Sequence, residues 1–77
     1  MELSIYDKIG LISENKNLNN FINDPNEYVR KALALKGYAL DVLINDTNYI
    51  VRKTVIKYCK EHPEEQKCKD ILLLNSI

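Results

Sequence analysis

The sequence predicts an all-α fold, about five helices and no strands, on three observations. Apolar residues recur at helical spacing in every segment long enough to show a period. Residues that start and stop helices (Ser4, Asp24, Pro25, Gly37, Asp46, Pro63) stand where that spacing is interrupted. The chain also matches itself at a fixed offset: residues 15–36 laid over residues 37–58 agree at eight of 22 positions without a gap. Leu18 falls on Leu40, Ile22 on Ile44, Asn23-Asp24 on Asn45-Asp46, Asn26 on Asn48, and Val29-Arg30-Lys31 on Val51-Arg52-Lys53. Such a period signals stacked repeats, whose neighbouring units cover each other's apolar faces.

Each unit reads as a short helix, a tight Asp turn and a longer helix. In the repeat 15–36, Asp24 is the expected N-cap, Pro25 the first helical residue, and Glu27 the partner of Asp24 in a capping box. Tyr28, Val29, Ala32 and Leu33 then form one apolar face, and Gly37 stops the helix. In the repeat 37–58 the short helix lies within 39–45. Asp46 caps the long one, whose face carries Ile50, Val51, Thr54, Val55, Tyr58 and Cys59. The ends differ from the middle. Residues 3–14 read as a degenerate N-terminal unit: Ser4 and Asp7 form a capping box, Ile5, Ile9 and Ile12 line a face, and Asp7 occupies the register position of Val29. A capping helix over 63–75 begins at Pro63, with Cys68, Ile71, Leu72 and Asn75 inward.

Seventy-seven residues make one domain with one core. Lysine plus arginine equals aspartate plus glutamate at 11 each, so no global field draws in nucleic acid or an anionic membrane. The longest apolar run, 71–74, is far too short to span a bilayer. The start does not read as a signal peptide, because Glu2 is acidic and Asp7-Lys8 breaks the apolar stretch. Two cysteines are too few for a disulfide scaffold. These features predict a soluble cytoplasmic module.

The phrase Asn-Asp-x-Asn-x-x-Val-Arg-Lys, followed by an apolar stripe, Gly37-Tyr38 and the Leu-Asp-x-Leu-Ile of 40–44, resembles HEAT-like repeats. It looks closest to the short bacterial kind grouped with the leucine-rich repeat variant, over Leu18 to Tyr58. The resemblance implies a right-handed αα-superhelix, armadillo-like in outline, that holds a protein partner. It also implies a structural ladder of Asp24, Arg30, Asp46 and Arg52 locking repeat to repeat. The iron–sulfur cluster of some variant-repeat proteins needs closely spaced thiols that this chain lacks. No cofactor is expected.

The candidate site residues follow. Arg30 and Arg52, at the same register position, either hold the inter-helix turns or face an acidic or phosphate-bearing partner, and the structural role is the expected one. A ridge of Glu27, Arg30, Lys31, Ala34, Tyr49, Arg52, Lys53 and Ile56 is the expected partner-binding surface. In it Tyr49 is the principal contact, beside Arg52 and Lys53. Tyr28 and Tyr58 are expected in the core, and Tyr38 over a turn. Lys31, Lys36, Lys53, Lys57 and Lys60 are interspersed with Glu27, Asp41, Glu61, Glu64 and Glu65, which argues against a nucleic-acid stripe. Cys59, His62 and Cys68 have metal-ligand chemistry, but structural zinc wants four ligands at recognised spacings, so core packing is expected and no metal. Ile71, Leu72, Leu73, Leu74 and Ile77 are too many apolar groups for one helix face to hide, predicting an association patch and a homodimer or heteromeric contact there. No nucleophile–base–acid spacing and no Gly-rich phosphate loop occurs, so a non-catalytic protein–protein interaction module is expected. Two other readings stay open: a nucleic-acid-binding helical repeat, and an accessory domain of an enzyme.

Overall fold

Three helices begin 22 residues apart. In a computed structural model that describes residues 2–75, α1 spans Ile5–Ser13, α2 Glu27–Leu35 and α4 Tyr49–Glu61. Between them lie a 3-10 turn, Leu18–Phe21, and α3, Leu40–Leu43, again 22 residues apart, and α5, Gln66–Leu74, follows. These are five α-helices and no strand among the described residues, as the apolar spacing predicts.

The helix starts correct the sequence reading. Asn26, not Asp24, caps α2: its Oδ1 accepts the N–H groups of Tyr28 at 2.8 Å and Val29 at 3.3 Å. Asn48 likewise caps α4 through the Ile50 N–H at 2.8 Å. Asp24 and Asp46 stand two residues earlier and turn the chain, accepting the Asn26 N–H at 2.9 Å and the Asn48 N–H at 2.8 Å. Pro25 therefore precedes the helix, and Glu27 opens α2 instead of closing a capping box. Ser4 and Asp7 do form the reciprocal box on α1.

The stops recur too. The Gly37 N–H donates to the Ala34 carbonyl and the Tyr38 N–H to that of Leu33, at 3.0 and 3.1 Å, while Gly37 turns left-handed at φ 76°. One unit earlier Asn15, at φ 62°, and Lys16 make the same two bonds to Ile12 and Leu11. A side chain at Gly37 would collide with the Tyr58 ring, so glycine serves both the turn and the close approach of α4. Asn17 and Ala39 repeat a second left-handed position, at φ 56° and 54°. At the third occurrence of the stop stands Cys59, which is helical, so α4 runs on to Glu61 and reaches 13 residues where α1 and α2 have nine.

Packing follows chain order. Helix α2 lies between α1 and α4, α4 packs on α5, and α3 rests on α2, α4 and α5; among the described residues α1 does not reach α4. The molecule is accordingly long and thin, 43 × 23 × 15 Å. Its core is one cluster, with Ile12, Val29, Leu33, Ala34, Leu40, Leu43, Val51, Val55, Cys59 and Cys68 almost wholly buried, and Phe21 and Ile71 beside them. Tyr28, expected in this core, is 51% exposed, and Ile50 at the same register position is also exposed. The buried stripe starts one residue later than assumed, at Val29 and Val51. Ala34, assigned to the ridge, is fully buried between helices. Tyr58 is half-buried and donates to Glu65 Oε2 at 2.8 Å, and Tyr38 packs over the turn with its hydroxyl on Asn19.

The C-terminal helix starts three residues later than expected, at Gln66, with Pro63 in the turn before it. Ile71 is buried, which removes it from the association patch, and Leu72 is half-buried against the core. Leu73 and Leu74 are 75% and 78% exposed; Ile77 lies outside the described residues. No helix among the described residues is long and apolar enough to cross a membrane.

Candidate functional site

The turns before α2 and α4 position the charged groups of the molecule. Arg30 projects from the first turn of α2 toward the next unit, where its Nε and Nη2 donate to the two carboxylate oxygens of Asp46 at 2.8 and 3.1 Å. Its Nη1 donates to the Asp24 carbonyl at 2.6 Å. Both side chains are largely buried, 13% and 7% exposed, so this two-pronged pair is shielded from water. Lys8, one unit earlier, donates to Asp24 at 2.7 Å. Sequence reasoning had not connected Lys8 with the ladder, although it stands 22 residues before Arg30.

The local electrostatics follow from these contacts. Burial pushes the Asp24 carboxyl up, but the Lys8 and Asn26 hydrogen bonds and the Lys8 and Arg30 charges outweigh it and hold its pKa below the usual value. At Asp46 burial is likewise outweighed, by Arg30, the Asn48 N–H and the charge of Arg52. The Asp46 hydrogen bonds raise the Arg30 pKa against the opposing effect of burial.

Arg52 occupies the same place on α4 but meets a different surrounding. Its Nη1 donates to the Asp46 carbonyl at 2.6 Å, as Arg30 does to Asp24. The acid that would complete the pattern belongs at position 68, which holds the buried Cys68. Among the described residues no carboxylate pairs with Arg52. Arg52 instead borders a groove of about 750 Å³ between α4, α5 and the end of α3. Ile44, Ile56 and Leu72 form its apolar floor; Tyr49, Arg52, Lys53 and Lys60 form the rim on α4, with Asn75 at the far end. Spacings of three, four, seven and eleven residues from Tyr49 put the α4 members on one helix face. Lys53 Nζ lies 5.9 Å from the centre of the Tyr49 ring, a cation–π contact that props the 63%-exposed ring as one wall.

The structure thus brings together Tyr49, Arg52 and Lys53 of the expected partner-binding residues at this groove, and Glu27, Arg30 and Lys31 do not line it. Arg30 is engaged in the junction with Asp46. Lys31 lines a smaller depression with Leu35, Ile50 and Lys57, which Tyr49 and Lys53 also border. Glu27 is half-buried beside Arg30. Lys60 and Ile44 were not assigned to the surface from sequence. Lys60 continues the Arg52–Ile56 spacing and could have been found; Ile44 enters from another element.

The remaining reactive side chains are occupied. His62 stacks on Tyr58 with ring centres 3.9 Å apart, and its Nδ1 bonds the Tyr58 carbonyl at 2.8 Å. Cys59 and Cys68 are free thiols in the core; burial, with the Cys68 hydrogen bond, pushes the Cys59 thiol up to about 12. His, Cys, Asp and Glu form no group able to hold a metal among the described residues. The chain matches no protein-family model, no curated protein and no solved structure.

Proposed function

We propose that the chain is a non-catalytic protein-interaction module of the helical-repeat type, its units following a right-handed superhelical path, and that the α4–α5 groove is where it takes its partner. The observation that carries this reading is the groove itself: an apolar floor, an aromatic wall, and a rim of Arg52, Lys53 and Lys60 with no carboxylate lining it among the described residues. Apolar burial supplies affinity, and the unpaired cations select an acidic segment. Tyr and Arg beside an apolar floor is the composition of interface hot spots. The non-catalytic assignment is supported by the state of the reactive groups, since His62 is held by Tyr58 and the Cys59 thiol stays protonated. Buried free thiols suit a reducing compartment, and we place the protein in the cytoplasm.

A pull-down from native cell extract tests the reading, using wild type, Lys53→Glu and the distant surface control Lys16→Glu as baits. A protein retained by wild type and the control but lost from Lys53→Glu supports it. Equal retention by all three baits rejects the groove as the docking site.

A further inference from the structure

The ladder has complementary loose ends. Its bases, Lys8, Arg30 and Arg52, are 22 residues apart, and so are Glu2, Asp24 and Asp46. Each base pairs with the acid sixteen residues ahead: Lys8 with Asp24, Arg30 with Asp46. That rule leaves Arg52 without an acid, since Cys68 stands at the place, while Glu2, in register with Asp24 and Asp46, meets no base among the described residues. Glu2 is exposed and makes no hydrogen bond or ion pair among the described residues. It belongs to the segment that precedes α1, which reaches Ser4 in extended backbone, φ −72° and ψ 166°.

We propose that these ends join: Glu2 of one copy sets its carboxylate on the Arg52 guanidinium of a second copy, so that the ladder runs on between molecules. The proposal rests on the groove being a docking site and names its occupant. Helix α5 already covers the flank of α4, so a whole further unit cannot stack there, but an extended segment fits an open groove. Leu3, next to Glu2 and 47% exposed, meets the floor of Ile44, Ile56 and Leu72. Apolar groups are exposed at both ends, Ile5 and Tyr6 at the head and Leu73 and Leu74 at the tail, so the contact buries apolar surface on each side of the ion pair. A formal net charge of zero leaves little repulsion between copies. Because the contact is head-to-tail between opposite ends of a 43 Å molecule, each copy keeps one end free for a further copy, and assembly runs past the dimer into a ring or an open chain.

Sedimentation velocity on the untagged protein over a wide concentration range tests this. Mass should rise steadily with concentration and pass beyond the dimer. Glu2→Arg and Arg52→Glu should each weaken association by roughly tenfold or more, and the double variant, or a mixture of the two singles, should restore it. Glu2 lies outside every helix, so Glu2→Arg reports on association even where Arg52→Glu disturbs folding. A wild type that stays monomeric, a dimer that stops at two, or association indifferent to Glu2→Arg overturns the head-to-tail contact. A monomeric wild type that still captures a protein lost from the Lys53→Glu bait overturns it while leaving the docking reading intact.

Discussion

The junction between α2 and α4 and the one that follows α4 begin from the same residues and end differently. At the first, Arg30 spans from its own turn to Asp46 of the next unit, and both charges of the pair are used inside the fold. At the second, Arg52 repeats the bond to its own turn, but Cys68 stands where the next acid would fall, and the remaining N–H donors of the guanidinium are left to the groove. The difference shows how one residue type meets two surroundings within one short chain. Where a carboxylate follows, arginine fastens helix to helix. Where none follows, its remaining donors face an open groove.

That contrast can be broken by substitution, and the largest effect is expected at Asp46. Asp46→Ala removes the partner of Arg30 and the acceptor of the Asn48 N–H together, and should cost about 3 kcal/mol. In a domain of this size that lowers the melting temperature by on the order of 15 °C, read by circular dichroism. Arg30→Ala should cost about 2 kcal/mol and Arg52→Ala about 1 kcal/mol, since only the former loses an ion pair as well as a carbonyl bond. Equal losses would mean that the two junctions do not differ energetically.

Acid probes the same groups more gently, because a protonated carboxyl keeps its place. The folded-state pKa values of Asp24 and Asp46 are lowered, so their stabilisation is present above the unfolded value, about 3.9, and is lost as pH falls through it toward the folded values. Urea midpoints should therefore drop below about pH 4, and Asp46→Asn should flatten that drop. Alkali tests the far end. The Glu65 hydrogen bond, with burial, pushes the Tyr58 hydroxyl up to about 12, so its contribution is full below the unfolded value near 10 and is lost between there and about 12. Tyr58→Phe should reduce the alkaline loss, the remainder coming from the Cys59 thiol, which is likewise raised to about 12. The smallest effect is a gain: Ala39 is held left-handed at φ 54°, and Ala39→Gly should stabilise by about 1 kcal/mol. A loss there would mean that Gly37 alone sets the turn.

Much of the architecture was legible in the residues themselves. Apolar spacing gave the helices, Gly37 the stop of α2, and Ser4 with Asp7 the start of α1, because each depends on groups within one helical turn of one another. The choice between Asp24 and Asn26 as cap was not local. Either side chain can accept the free N–H groups, but Lys8 draws the Asp24 carboxylate toward the preceding helix, and Arg30 holds Asp46 in the same way. Tyr28 and Ala34 were misplaced for a related reason: periodicity gives the direction of a buried stripe, while its width depends on how closely neighbouring helices approach.

The amino-acid order by itself determined the number of helices, the start of α1, the stop of α2 and the recurrence of charged groups every 22 residues, because these depend on short-range properties of the chain. Only the tertiary structure decided which arginine found a carboxylate and which was left facing the groove. It did so because α5 packs on α4 through Cys68 and Ile71 and brings Leu72 opposite Ile56 where another acidic turn would have stood.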